Sequence, residues 1–182
     1  KDWETILLNR SKELIKGGRF ICINFGIDEQ GRCLGNTGGH IMFNNFSKNW
    51  KYLQDQGIIT NQEFTNATFT QHYRTVEEFR APFDNNQSAI SKSGLVLKSC
   101  ETMITECPYK IHYFNNKNSM SPLDYAKTLI PTMRSWSETV FRNALVDRTE
   151  REINEIVDKF YNLYIDEVAN DPEGHAMDYV HV

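Results

Sequence analysis

The sequence predicts an α/β protein in which a small sheet carries a helical insertion. The strand evidence is sharpest in GGRFICINFG, Gly17 to Gly26, where Phe20, Ile21, Cys22, Ile23 and Phe25 form a nearly unbroken apolar run between glycines. A strand buried on both faces reads this way. The helix evidence is the recurrence of capping-box quartets ahead of apolar residues at helical spacing, and those helices interrupt the strands instead of alternating with them one for one. About three strands are predicted in all, too few to cover both faces of GGRFICINFG.

Taken in order, residues 2 to 16 place Trp3, Leu7 and Leu14 on one helical face with Ile6 and Ile15 beside them, and Gly17-Gly18 supplies the stop. The polar, glycine-rich segment Ile27 to His40 reads as a loop. Met42, Phe46, Trp50 and Leu53 then recur near helical spacing up to Gly57. Thr60 to Glu63 and Thr75 to Glu78 each fit a capping box, in which a threonine hydroxyl and a glutamate carboxylate satisfy free backbone amides, so two short helices are expected. After Ser93-Gly94, residues Leu95 to Thr105 read as a strand, and the stretch with Pro108 and three asparagines as a loop.

Ser121-Pro122 opens the next helix with proline at its first position, and Pro131 within it should break or kink it. The cleanest helix follows the capping box Thr149 to Glu152, with Ile153, Ile156, Val157, Phe160, Tyr161, Tyr164 and Val168 on one face. Asp171-Pro172-Glu173-Gly174 ends it, and Met177 to Val182 read as a strand.

Composition narrows the function. Twenty basic and twenty-four acidic residues are interspersed, leaving a net charge of -4, so no electrostatic footprint for nucleic acid or an anionic membrane is present. No apolar run approaches the ~20 residues of a transmembrane helix, and a cytoplasmic protein is expected. Cys22, Cys33, Cys100 and Cys107 contain no C-x-x-C pair, so reduced, structural thiols are expected. The chain begins at Lys1 without an initiator methionine, and a piece of a longer protein is the expectation.

Candidate chemical motifs are sparse. Gly35 to His40 could cradle a phosphate, but it lacks both G-x-x-x-x-G-K-[ST] and G-x-G-x-x-G, and an ordinary loop is the preferred reading. His175 and His181 flank Asp178 without a third ligand at defined spacing, so a packed or surface pair is preferred to a metal site. No nucleophile elbow is present. The stronger signal is aromatic: Phe43, Phe46, Trp50, His72, Tyr73, Trp136, Phe141, Phe160, Tyr161 and Tyr164 lie on several helices outside the presumed sheet. Most must be core, yet helices presenting methionine and aromatic side chains can line a pocket for a small apolar or aromatic molecule.

D-W-x-x-x-L-x-x-R-x-x-E-L-x-x-G-G-R-F from Asp2 to Phe20, Leu53 through Gly57-Ile58-Ile59 with Glu63, and Tyr73-Arg74-Thr75 with Glu78 follow one another in an order that resembles the carboxyl-terminal half of the SABATH family. These are S-adenosylmethionine-dependent methyltransferases of small carboxylic acids and, in some members, of purine nitrogens. Met133 to Glu138 resembles that family's R-x-x-x-E helix in the cap.

The resemblance implies the C-terminal part of a Rossmann-like methyltransferase sheet, made by residues 1–26, 94–107 and 176–182, with residues 40–92 and 121–170 as a helical cap over the acceptor pocket. The cofactor-binding half would precede Lys1, so S-adenosyl-L-methionine would be held mostly outside this chain, and the chain alone would be inactive. Carried over, the acceptor-lining positions are Phe25, Met42, Phe43, His72, Met133 and Trp136, with the last-strand position open between Asp178 and Tyr179. Tyr is common in the family where this chain has His72, and Trp where it has Phe43. The expected partner is a small-molecule acceptor, with a homodimer conceivable. The competing reading is a non-catalytic interaction module that docks a partner through a methionine and aromatic surface.

Overall fold

The computed structural model describes residues 2–182. Along the chain run α1 (Asp2–Glu13), β1 (Gly26–Ile27), α2 (Met42–Asp55), α3 (Asn61–Asn66), β2 (Arg74–Thr75) and α4 (Val76–Asp84). Then follow α5 (Ala89–Lys92), β3 (Met103–Thr105), α6 (Pro108–Asn115), α7 (Pro122–Ala144), α8 (Glu150–Asn170) and β4 (Tyr179–His181). They divide into two units. The first holds the described residues through Leu34 with His72–Thr105 and Tyr179–Val182, and the second holds Gly35–Gln71 and Glu106–Asp178.

In the first unit, α1 begins with Asp2 and Glu4 and ends with Arg10 and Lys12, charges that complement the helix dipole. Trp3 anchors it, donating its indole N–H to the Phe79 carbonyl at 3.0 Å while its ring meets Phe79 edge-on at 5.4 Å. β1 pairs in parallel with β2, Gly26 opposite Arg74, and β3 pairs antiparallel with β4, Met103 opposite His181. A single bridge links Phe25 to His181.

GGRFICINFG is not the buried strand its composition predicts. Ile21 is 82% exposed and Ile23 70%, and only Gly26–Ile27 pairs as a strand. An apolar run of this kind is stable when strands take up its backbone groups on both edges and layers cover both faces. Between Arg19 and Phe25 the backbone pairs with other strands through Asn24 and Val182, at 2.8 and 2.9 Å, and the bridge at Phe25, and Gly26 pairs with Arg74. The expected strand at Leu95 to Thr105 is likewise reduced to Met103–Thr105, because β4 offers three residues to pair with. α1 ends at Glu13, short of Lys16, and leaves Ile15 82% exposed.

The second unit is helical. Phe46 and Trp50 from α2, Leu129, Ile130, Met133 and Phe141 from α7, and Val157, Phe160, Tyr161 and Tyr164 from α8 are all at most 2% exposed. Each such side chain contributes roughly 1.5–3 kcal/mol through the apolar surface it removes from water. Ser137 and Tyr161 share a buried hydrogen bond of 2.7 Å, which satisfies both hydroxyls where α7 packs on α8.

The capping boxes at Thr60, Thr75 and Thr149 all form, and a further one forms at Ser121 with Asp124. Each cap is worth ~1 kcal/mol. Pro131 does not break α7, which runs unbroken for 23 residues. Pro131 and Lys127, whose carbonyl loses its amide partner, both lie on the exposed face, where water replaces the missing donor. The stretch at Pro108, read as loop, is a helix: Pro108 sits at its start, and Tyr113 stacks on Tyr125 with ring centroids 4.9 Å apart. Lys110, His112 and Asn115 dilute its periodicity. Ser88 likewise caps the single turn α5, absent from the sequence reading.

All four cysteines are free thiols, and burial pushes those of Cys33 and Cys100 up, away from the reactive thiolate. No helix among the described residues is long and apolar enough to cross a membrane.

Candidate functional site: an aromatic wall in the helical unit

The first turn of α2 carries Met42 and Phe43 in the sequence M-F-N-N-F, so Phe43 and Phe46 lie three apart on neighbouring positions of one face. α7 carries Met133 and Trp136, again three apart. Met42 and Met133 are core residues, 1% and 0% exposed. Phe43 and Trp136 come together with ring centroids 6.4 Å apart, and Trp136 keeps 36% exposure.

A third ring completes the wall. Phe69 lies 5.5 Å from Phe43 and 6.2 Å from Trp136, and it stacks on Phe46 at 5.6 Å with planes 21° apart. Phe43 and Phe69 are half-buried, so the three rings form a part-open apolar surface over the closed core ring of Phe46. Sequence reasoning missed Phe69, which falls in the polar run after α3 where no periodicity marks it.

α7 is held in register by the R-x-x-x-E pair. Arg134 donates to Glu138 at 2.6 Å and to Asp158 of α8 at 2.8 Å, and its guanidinium lies over the Tyr161 ring at 5.1 Å. Arg134 thereby holds the Glu138 carboxyl below its usual range. This pair fixes the helix from which Trp136 projects; neither of its residues is among the three rings.

Phe25 and His72 belong to the first unit. Phe25 is 50% exposed and packs edge-on against Tyr179 at 5.3 Å and Tyr73 at 6.5 Å. Burial, with the Cys33 thiol as a smaller cause, pushes Tyr73 up to about 12, so its phenol stays protonated at neutral pH. His72 is exposed. Of the two open last-strand positions, Tyr179 faces Phe25. Asp178 instead accepts from the Cys107 amide at 2.6 Å and from the Thr37 hydroxyl at 3.2 Å.

Groups suited to a nucleotide-like cofactor are taken up elsewhere. Asp28, the acidic residue following β1, accepts from the Gln30 and Arg32 amides and pairs with the Arg32 guanidinium at 2.6 Å. In the glycine-rich loop, the Gly35 amide donates to the Asp178 carbonyl and the His40 amide to the Gly174 carbonyl. Neither Asp28 nor these two loop amides is left free to hold S-adenosylmethionine. A shallow cleft lined by Glu106, Lys110, Ile111, Phe114, Asn115 and Asp178 contains none of the six acceptor positions.

Comparison with known families places a match over the whole chain: the family described as SAM dependent carboxyl methyltransferase matches residues 1–182. No curated protein matches the chain.

Proposed function

This chain belongs to the SAM-dependent carboxyl methyltransferase family, and from that premise we propose that it is the acceptor-binding portion of an S-adenosylmethionine-dependent methyltransferase whose acceptor is a small carboxylic acid. The observation that carries the acceptor side is the part-open wall of Phe43, Phe69 and Trp136. A carboxylate is ionised near neutral pH, so its oxygen needs no general base to become nucleophilic. What remains for this chain is to hold the acceptor's hydrocarbon body in one orientation and to keep water from it. Aromatic rings with no titratable group among them suit that task.

In this reading the cofactor is gripped by a segment outside the chain, whose strands also cover the exposed Ile21 and Ile23 and complete a Rossmann-like sheet. The free thiols agree with a cytoplasmic setting. Calorimetry of the 182-residue chain with S-adenosylmethionine is expected to give no heat of binding, and micromolar binding would overturn the division of labour. The exposed isoleucines also favour a second reading, a non-catalytic module docking a partner protein. Absence of cofactor binding by the complete protein would decide for it.

The acceptor wall has its own test. In the complete enzyme, assayed for methyl transfer to a panel of small acids, Trp136→Ala is expected to raise the acceptor KM ~10-fold while leaving cofactor affinity unchanged. Equal loss of both affinities would remove Trp136 from the acceptor side.

A further inference from the structure

Away from the aromatic wall, the helical unit brings His40 together with Asp171 and His175, which lie more than a hundred positions further along the chain. One donor atom from each lies within 4.8 Å of the other two. His40 Nε2 donates to Asp171 Oδ2 at 2.7 Å, and the two imidazole rings face each other with centroids 4.6 Å apart. The backbone is shaped to allow this approach. The His40 amide donates to the Gly174 carbonyl at 2.8 Å, while a Cβ on Gly174 would lie 2.4 Å from Asp171 Oδ2 and 2.6 Å from the His40 ring.

An independent observation points to a ligand. His175 is 2% exposed, and its Nε2 is buried without a hydrogen-bond partner. An unpaired polar atom at such a place costs free energy unless something occupies it. The rest of the residue is fixed: Tyr125 donates its hydroxyl to the His175 carbonyl at 2.7 Å, and Asn45 faces Nδ1 at 3.4 Å. The Asn45 amide nitrogen is the atom that faces Nδ1, so a cation at Nε2 moves the ring proton to Nδ1, where a turn of the Asn45 amide supplies Oδ1 as its acceptor.

We propose that His40, Asp171 and His175 form a binding site for a zinc-type divalent cation that ties the loop before α2 to the turn after α8. Two imidazoles and one carboxylate suit zinc far better than magnesium or calcium, which favour all-oxygen shells. A fourth position remains for water. Donors on tetrahedral zinc lie about 3.4 Å apart, so the His40–Asp171 pair, now at 2.7 Å, must open slightly while both draw toward His175. The His40 and Asp171 side chains, 49% and 53% exposed, are free to move, while His175 supplies the fixed end. Cation binding replaces the His40–Asp171 hydrogen bond and gives the orphaned Nε2 a partner.

The test is titration of the metal-free complete protein with Zn²⁺ by calorimetry, and with Co²⁺ by visible absorption, in wild type, His40→Ala and Asp171→Asn. Both substitutions sit at exposed side chains, so folding is preserved, which circular dichroism checks. Expected are one Zn²⁺ per chain, a tetrahedral Co²⁺ spectrum with nitrogen ligands, a Zn²⁺-dependent rise in melting temperature, and at least ~10-fold weaker binding in each variant. Absence of stoichiometric binding, or binding unchanged in both variants as capture by the free thiols would give, overturns the proposal.

Discussion

Phe46→Ala is expected to lower the unfolding free energy by ~4 kcal/mol in chemical denaturation, the largest single-residue effect among those considered. Phe46 is 1% exposed and lies against rings from three other segments: Phe69 at 5.6 Å, Trp136 at 5.9 Å, Phe141 at 5.6 Å, Phe160 at 6.1 Å and Tyr164 at 5.5 Å. Truncation removes the transfer free energy of a phenyl group and leaves a cavity walled by rigid rings, which cannot collapse into it as flexible aliphatic chains could. Phe46→Leu, which refills most of the volume, is expected to recover about half the loss. A cost below ~1 kcal/mol for the alanine variant would contradict the placement of Phe46 at the centre of the helical core. Because Phe69 and Trp136 both rest on this ring, the substitution also loosens the aromatic wall.

Arg148→Ala is expected to cost ~3 kcal/mol. The Glu63 side chain is only 3% exposed, and Arg148 meets it with two parallel hydrogen bonds of 2.7 and 2.8 Å while donating a third, of 3.1 Å, to the Ile58 carbonyl. The same carboxylate closes the capping box of α3, accepting from the Thr60 amide at 2.7 Å. Removing the guanidinium strands a buried negative charge, which is where the cost arises; replacement of the whole pair by apolar residues would cost much less. Arg148→Lys should rescue only partly, since an ammonium cannot reproduce the fork.

The pH dependence of that loss follows from the charge. Arg148, the largest cause, and then the Thr60 amide hold the Glu63 carboxyl below its usual value of 4.5, against a desolvation that pushes it up. A carboxyl depressed in the folded state stabilises the protein above its unfolded value and stops doing so as pH falls through the folded one. The difference between wild type and Arg148→Ala should therefore be full at pH 6 to 7 and shrink below about pH 4. A difference that grew on acidification would contradict the assignment.

The helices were largely legible because their signals are local. A capping box spans four residues and an amphipathic stripe a few turns, so the starts at Thr60, Thr75 and Thr149 and the buried face of α8 could be read off the chain. Where the pattern is diluted by polar residues, as in α6, the reading failed. The sheet was the less legible part, since an apolar run announces a wish for burial but not the partners that grant it: Ile21 and Ile23 remain exposed. Pro131 shows the opposite case, a local helix breaker that leaves α7 unbroken because the helix packs on its other side.

By itself, then, the sequence determined the family, through motif order, and the helical faces, through periodicity. Only the tertiary structure decided which residues from distant segments meet: Phe69 beside Phe43 and Trp136, Glu63 beneath Arg148, and His40 beside Asp171 and His175. Side chains separated by 85 or 131 positions, as in the last two groups, share no local period. Their proximity is set by how helices and loops pack, which depends on the sum of many contacts and on no single stretch of chain.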